Sequence, residues 1–369
     1  MRSILITGGA GYIGLHTSLV LLEEGYQLFI IDSFANSSYG SIERLLKLSS
    51  NYKLFSSKQI EFFEGDIRNL DTLRAVFVRA IKFNKPIEAV VHFAGLKSVA
   101  ESISNPDLYW DVNVNGTNTL LKVMQEFNCI NLVFSSSATV YSPKEKSPLT
   151  ENSKLLPINP YGETKLEVEN ILKDSLKFGE NYFNTLSLRY FNPVGAHPSG
   201  EIGESPLKVP NNLFPYICDV ANSKRDVLNI FGDDWPTKDG TCIRDFIHIM
   251  DLANGHFLAL NFLLKNNNRG FFKAINLGTG KGTSVLELVK TFEKVNNLKI
   301  NYQFSKRRLG DNAIVYSNCD LAKDILLWQP KKDIVQMCRD GWNWVRNNPD
   351  GYLEFNLINF IFIDYLLKF

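Results

Sequence analysis

The chain has 369 residues, 44% of them hydrophobic and 12% aromatic, enough to bury a large core and to build two lobes around one interface, which excludes a disordered or fibrous protein. Its 40 basic and 39 acidic residues leave a formal charge of +1, so it lacks the broad positive footprint that neutralising many nucleic-acid phosphates requires, and a compact, locally charged ligand is expected. Five cysteines, Cys129, Cys218, Cys242, Cys319 and Cys338, form no C-x-x-C pair; they read as free thiols in a reducing compartment, not as a disulfide framework or a thiolate metal site.

After Arg2 the chain opens on Ile4, Leu5 and Ile6, too short an apolar run for a signal peptide, so a cytoplasmic location is expected. Apolar, β-branched runs then alternate with helical patterns, the signature of a parallel sheet covered on both faces. Strands are predicted at Ser3 to Thr7, Gln27 to Asp32, Ile60 to Glu64, Ile87 to Phe93, Asn131 to Ser136 and Asn184 to Tyr190. Between them, Asp107 to Asn128 carries Leu108, Val112, Leu120, Leu121 and Val123 as a helical stripe. From Asn192 to Pro215 the texture changes: Pro193, Pro198, Pro206, Pro210 and Pro215, with glycines among them, break the alternation into loops. The chain is therefore divided into a nucleotide-binding domain over 1–192, a smaller lobe over 193–351 and an apolar tail over 352–369. Asn266 to Asn268 is a short low-complexity loop.

The first chemical motif follows the first strand, Gly8-Gly9-Ala10-Gly11-Tyr12-Ile13-Gly14, with a helical pattern from Ile13 to Glu24 and a second strand ending at Asp32. Glycines there let the backbone turn tightly and approach a pyrophosphate, while the helix N-terminus offers amide donors to the anion. A carboxylate at Asp32 suits a free adenosine ribose and repels a 2′-phosphate, which favours NAD over NADP. The architecture implied is α/β, a doubly wound parallel sheet of the Rossmann type with a second, smaller α/β lobe for the substrate.

The second motif joins Ser135-Ser136-Ser137 at a strand end to Tyr161-Gly162-Glu163-Thr164-Lys165 at the start of a helix. A spacing of four puts Tyr161 and Lys165 on one helical face, where the ammonium is expected to lower the phenol pKa so that the phenolate acts as a base. Ser137 is placed to bridge a substrate hydroxyl to that phenol. Tyr302 and Lys306 share the spacing, but in a strand-like run, and read as coincidental. His92, His197 and His248 lack metal-ligand spacing and are read as hydrogen-bonding groups; no metal is expected.

Over residues 1 to about 351 the chain resembles the extended short-chain dehydrogenases, and within them the UDP-glucose 4-epimerases. The resemblance lies in GGAGYIG (Gly8 to Gly14), HFAGLKSVAES (His92 to Ser102), FSSSATVY (Phe134 to Tyr141), NPYG-x-TK (Asn159 to Lys165), LRYFNPVGAHPSG (Leu188 to Gly200), PNNL-x-PY (Pro210 to Tyr216), DGT-x-xRDFIH (Asp239 to His248) and RR-x-GD (Arg307 to Asp311). It implies that Gly8, Gly11, Tyr12, Ile13, Gly14, Asp32, Asn36, Ser37, Asp66, Ile67, Phe93, Ala94, Gly95, Lys97, Lys165 and Phe191 bind NAD. It further implies that Ser137, Tyr161 and Lys165 are catalytic, and that Asn192, Asn212, Arg244, Arg308, Asp311 and Val315 face a UDP-sugar. Where bacterial members carry a cofactor-contacting asparagine this chain has Val112, with Asn113 beside it. The implied reaction interconverts UDP-glucose and UDP-galactose through a transient 4-keto sugar with NAD retained, in a homodimer without nucleic-acid or membrane partners.

Members restricted to plain hexoses carry a tyrosine at the position of Val315; valine leaves room for an acetamido group, with Tyr316 next in line. A 4,6-dehydratase needs an acid and a base just after the serine strand, where Ala138 and Thr139 stand. A UDP-glucuronate epimerase or decarboxylase is a nearer alternative, and a catalytically silent NAD or sugar sensor a more distant one, opposed by Ser137, Tyr161 and Lys165. The Leu353 to Phe369 stretch is too short and too interrupted by Glu354, Asp364 and Lys368 to span a membrane. Its deletion is expected to preserve activity and improve solubility.

Overall fold

The structure, a computed structural model, describes residues 1–51, 56–177, 183–207, 210, 212–265, 270–308 and 310–352; the Asn266 to Asn268 loop and the Leu353 to Phe369 stretch lie outside the described residues. Six strands follow the sequence pattern closely: β1 (Ser3–Thr7), β2 (Gln27–Asp32), β3 (Ile60–Glu64), β4 (Ile87–His92), β5 (Asn131–Ser137) and β6 (Asn184–Tyr190). In β1, β2 and β6 every side chain is buried, as with Ile4, Leu5 and Ile6, because helices cover both sides of a parallel sheet; this is why these runs read as continuously apolar.

A seventh strand, Phe271–Leu277, pairs parallel with β6 in register from Asn184 to Tyr190. The sheet order is then Phe271–Leu277, β6, β5, β4, β1, β2, β3. This strand, and the helix Ile249–Lys265 that packs on the first helix, Tyr12–Glu23, both come from the stretch expected to form the second lobe. The chain therefore does not part cleanly at residue 192: after Asp245 it crosses back to finish the nucleotide-binding sheet. Strand order reverses between β1 and β4, and in open α/β sheets ligands bind at such a switch, outside the carboxyl ends of the strands.

The smaller lobe has its own core of Phe214, Ile217, Leu288, Phe292 and Met337. It packs the helices Leu213–Ala221, Val285–Asn296 and Ile334–Asn347 with short ladders. In one, Ile243–Arg244 lies between Thr283–Ser284 and Ile314–Val315; in the other, Leu228–Phe231 pairs with Tyr302–Ser305. Tyr302 thus sits on a strand, so its spacing to Lys306 creates no helical face. Tyr352, assigned from sequence to the tail, is buried: it lies against the Trp344 ring, and its hydroxyl accepts from Gly203 N and donates to Gly203 O, both at 2.9 Å.

The predicted helix from Asp107 to Asn128 is present with a change of winding. Pro106–Tyr109 is α-helical, Trp110–Asn115 widens to a π-helix and Gly116–Glu126 is α-helical again. The extra residue in that wide turn directs Asn113 inward, where it is buried.

Candidate active site

The dinucleotide end begins where β1 meets the first helix. Gly8 has φ +69°, and a Cβ there would lie 2.6 Å from Ala94 N; one on Gly14 would lie 2.3 Å from Gly8 O. Both positions admit only glycine, which brings backbone within reach of a pyrophosphate. The helix is capped by Gly11 without a side-chain hydrogen bond, so its leading amides, at Tyr12 and Ile13, carry the positive end of the helix dipole unscreened. Asp32 accepts hydrogen bonds from Ala10 N at 2.9 Å, Phe34 N at 2.9 Å and Ser37 Oγ at 2.8 Å. Burial raises its pKa while those donors lower it. The carboxylate therefore shapes the glycine turn as well as presenting lone pairs toward it.

Asn36 is exposed beside Ser37. Ile67 is buried against the backbone of Gly116, and its neighbour Asp66 holds Arg68, which also reaches Asp111 at 2.6 Å. Phe93, Ala94 and Gly95 follow β4; a Cβ on Gly95 would lie 2.9 Å from Asn113 Oδ1 and 3.8 Å from Lys165 Nζ. A glycine turn of this tightness, an uncapped helix N-terminus and a carboxylate at the end of β2 fit a dinucleotide with a free ribose diol. Lys97 instead reaches the other lobe, where Nζ lies 3.0 Å from Glu204 Oε1. Phe191 belongs to a small buried cluster with Val140, Tyr141 and Leu149.

The candidate catalytic groups converge at the carboxyl end of β5. Asn159 caps the helix Pro160–Asp174 through Gly162 N, and Pro160 occupies its first turn, fixing where Tyr161 enters the site. Ser137 Oγ accepts from Thr139 N at 3.2 Å and from Thr139 Oγ1 at 3.0 Å. Lys165 Nζ donates to Ser135 O at 2.8 Å and lies 5.9 Å from the Tyr161 ring centroid. Burial lowers the Lys165 pKa to about 8, with Glu169 opposing that fall. For Tyr161 the direction is upward: burial raises its pKa, and the hydrogen bond with Ser137 is what lowers it. The partner that directly lowers the phenol here is Ser137, while Lys165 stands one helical turn away with one donor on the Ser135 carbonyl.

Most of the residues expected to face a UDP-sugar lie in the smaller lobe. Arg244 is held by the carbonyls of Ile243 at 2.9 Å and Asn312 at 2.8 Å, with Asp311 Oδ1 at 3.5 Å. Arg308 Nε reaches Asp311 Oδ2 at 3.0 Å, so one carboxylate bridges two guanidinium groups, both suited to a diphosphate. Val315 is the ladder partner of Arg244 and packs on the cluster containing Phe191 and, at its edge, Ala138. The Tyr316 ring lies instead beside Gly282, 3.4 Å from where a Cβ there would be. Asn192 is fixed through its amide to Asp245 O at 2.9 Å, and Asn212 Nδ2 lies 3.5 Å from Glu204 Oε1.

Four residues to which sequence reasoning assigned no role organise this site. Asn113 clamps Leu96 through N at 2.7 Å and O at 3.1 Å, and donates to Thr164 Oγ1 at 3.0 Å, tying the loop after β4 to the Tyr161 helix. Glu204 joins Lys97 of one lobe to Asn212 of the other. Glu169 and Arg189 form a buried pair behind Lys165. An Asn next to the mismatch at Val112, and charges within apolar strands or helices, were the available signals. His92 is buried between Thr7 Oγ1 at 2.6 Å and Thr117 Oγ1 at 2.9 Å, with its pKa lowered to about 3 by burial. His248 Nε2 lies 3.1 Å from Asp340 Oδ2. Among the described residues no His, Cys, Asp and Glu cluster has the arrangement of a metal site.

A profile described as GDP-mannose 4,6 dehydratase matches residues 5–341. The chain is 49% identical over 351 residues to UDP-glucose 4-epimerase 2 of Arabidopsis thaliana, covering 95% of this chain and 97% of that protein. In structure it superposes with a TM-score of 0.88 and 41% identity on a UDP-glucose-4-epimerase from Stenotrophomonas maltophila crystallised with NAD and formylated UDP-arabinopyranose, over 95% of this chain and 99% of that one. It superposes with a TM-score of 0.86 and 39% identity on a UDP-glucose 4-epimerase from Bifidobacterium longum in complex with NAD+ and UDP, over 95% and 100%.

Proposed function

The chain belongs to the UDP-glucose 4-epimerases of the extended short-chain dehydrogenases, and from that membership we propose that it is an isomerase interconverting UDP-glucose and UDP-galactose with NAD retained. The observation that carries this reading is the meeting of Ser137, Tyr161 and Lys165 beside the strand-order reversal. NAD, held by the Gly8 to Gly14 turn, Asp32 and the Phe93 to Gly95 loop, supplies when bound the acceptor for the C4 hydride and its source on return. The protein's own contribution is positional and electrostatic. Tyr161 takes the proton of the sugar 4-hydroxyl at its phenol oxygen, with Ser137 bridging the two, and gives it back on the opposite face after the 4-keto sugar has turned. Lys165 keeps a positive charge behind the phenol. Arg244 and Arg308 hold the diphosphate, so that the sugar alone is free to rotate.

A dehydratase reading, which the profile's description suggests, lacks the groups it needs: Ala138 has no titratable atom, and the Thr139 hydroxyl donates to Ser137. The deciding assay is conversion of UDP-galactose by the purified protein with no NAD added. Turnover, with protein-bound NAD recovered on denaturation, supports the proposal; a protein that carries NAD yet leaves UDP-galactose unchanged contradicts it.

The wall at Val315 points to a wider substrate range. With valine packed toward Phe191 and the Tyr316 ring turned to Gly282, no aromatic ring stands at this position to reject an N-acetyl group, which supports UDP-N-acetylglucosamine as a second substrate. Val315→Tyr should lose the N-acetylated substrate by about 10- to 200-fold in kcat/KM while keeping UDP-glucose. An unmodified enzyme that never converts the N-acetylated sugar makes the idea untenable.

Self-association as a homodimer is supported by Ile103, 66% exposed on the short helix Val99–Ser104, and by the exposed Leu108 and Trp110 on the helical stretch that follows it, apolar surface that a second copy can cover; sedimentation at two concentrations tests it. No helix among the described residues is long and apolar enough to cross a membrane. A cytoplasmic setting is supported by five free cysteines.

A further inference from the structure

Behind the catalytic trio lies a polar cluster with no contact to the outside. Glu169 and Arg189 side chains are 3% and 4% exposed. Arg189 Nε donates to Glu169 Oε1 at 3.0 Å and Arg189 Nη2 to Oε2 at 2.5 Å, a two-pronged pair. The same carboxylate accepts from Ser136 Oγ at 2.6 Å and Ser187 Oγ at 2.9 Å. Arg189 Nη1 continues to Tyr141 OH at 3.1 Å and Glu151 O at 3.3 Å. Tyr141 OH then donates to Asn276 Oδ1 at 2.6 Å.

These partners are not scattered. Glu169 stands one helical turn beyond Lys165 and two beyond Tyr161, on the same face. Ser136 lies between Ser135, whose carbonyl holds Lys165, and Ser137, which serves the phenol. Arg189 is the β6 ladder partner of Ser136. One carboxylate thus touches the helix carrying Tyr161 and Lys165 and the strand carrying Ser137, while its arginine reaches the segment from Tyr141 to Glu151. That segment pairs with the smaller lobe, where Leu149 N donates to Tyr316 O at 2.9 Å.

A buried ion pair is rarely the most stable way to fill a core, and well-packed apolar residues often do as well or better. Its presence directly under a catalytic helix calls for another role. We propose that Glu169, locked by Arg189, is the positioning residue that sets the register between the Tyr161–Lys165 helix and the Ser135 to Ser137 strand end and keeps Lys165 positively charged. The proposal rests on the epimerase reading and deepens it.

The groups facing Lys165 leave Glu169 as its only anionic support among the described residues. On its own helix stand Tyr161 and Glu169; from β4 comes His92, buried and neutral; from β5 come the Ser135 carbonyl and the Phe134 ring, 5.0 Å from Nζ; from β6, Arg189 lies beyond the carboxylate. Burial alone pulls the lysine down, and Glu169 works against it.

The test uses NAD-loaded protein and compares Glu169→Gln, the double variant Glu169→Gln/Arg189→Met and Ser136→Ala with the parent. Glu169→Gln should lower kcat about 10²-fold, the scale of a misplacement near 1 Å, leave the KM for UDP-galactose within about twofold, and move the alkaline limb of the kcat profile down by about one pH unit or more. The double variant, which removes both charges of the Glu169–Arg189 pair and so leaves no orphaned arginine, should fold and show the same two changes. Ser136→Ala should lower kcat without moving the limb, and it decides the positioning half should the other variants fail to fold. A titration of Lys165 by 15N NMR of lysine-labelled protein needs no turnover: the proton should leave at lower pH when Glu169 is replaced, partly restored in Glu169→Asp. A folded double variant with parental kcat and pH profile, or an unmoved Lys165 titration, overturns the proposal. Failure of the parent to turn over UDP-galactose speaks against the epimerase reading, while the titration still decides this one.

Discussion

Two carboxylates in this molecule each hold arginine at 3.0 Å, and they do unlike things. Glu169 with Arg189 is sealed beneath the catalytic helix; Asp311 with Arg308 lies at the rim of the smaller lobe, with the arginine side chain 55% exposed. In the interior, low effective dielectric makes such a contact strong and costly to break, so it fixes geometry. At the rim, water and salt compete, so under the proposed function the arginines would exchange a carboxylate for an incoming diphosphate at little loss. The chemistry end is thus built rigid and the nucleotide end exchangeable, within one active site.

The largest effect that this contrast leads us to expect is at the rigid end. Tyr161→Phe should lower kcat by about 10²–10⁴-fold, the range of a positioned acid or base, with NAD retained and the thermal midpoint little changed. Near-normal turnover would mean that another group takes the proton.

At the exchangeable end the two arginines should separate by burial. Arg244, 18% exposed and anchored by two carbonyls, should cost about 30-fold or more in KM on replacement by Ala, as for a desolvated charge contact. Arg308→Ala should cost about two- to fivefold, the scale of an exposed pair. Raising salt from 0.01 to 1 M shortens the Debye length from about 30 to about 3 Å and should raise KM while leaving kcat in place. Equal losses at both arginines, or a salt-dependent kcat, would erase the distinction between the two ends.

A smaller, global effect follows from the buried imidazoles. Burial lowers the pKa of His16 and His92 to about 3 and of His256 to about 4, below the usual 6.5. The unfolded chain therefore binds more protons than the native one between those values. Stability is full above pH 6.5 and is lost as pH falls toward 4, with a slope of about 1.4 kcal/mol per pH unit for each group. Urea midpoints at pH 7 and pH 5 measure it, and an equal or higher midpoint at pH 5 would contradict the burial of these rings as neutral groups.

Much of this was legible in the sequence because the nucleotide-binding half obeys local rules. Ile4-Leu5-Ile6, the glycines after them and Asp32 at the end of the next strand are read from adjacent residues, and the predicted strands match those observed to within a residue. Phe271–Leu277 was missed as a member of the main sheet because its β6 partners lie 87 residues earlier, as in Phe271 opposite Asn184, a pairing decided by tertiary packing alone. Asn113 was visible only as the neighbour of the mismatch at Val112; its contacts with Leu96 and Thr164 come from the π-helical turn. Glu169 was readable in principle: it shares a face with Tyr161 and Lys165, and Arg189 sits in an apolar strand that demands a buried partner for its charge. What sequence spacing did not show was the bond from Lys165 Nζ to the Ser135 carbonyl, since it depends on the depth of the helix in the fold.

The central claim is that a hydrogen leaves C4 of the sugar and returns to the same carbon without reaching water, in a site whose NAD stays bound. It is tested most directly with UDP-galactose carrying deuterium at C4, incubated with the purified protein in ordinary water without added NAD. The expected product is UDP-glucose that keeps its deuterium at C4. UDP-glucose formed with protium at C4 would contradict the hydride mechanism, and with it the catalytic roles of Tyr161, Ser137 and Lys165.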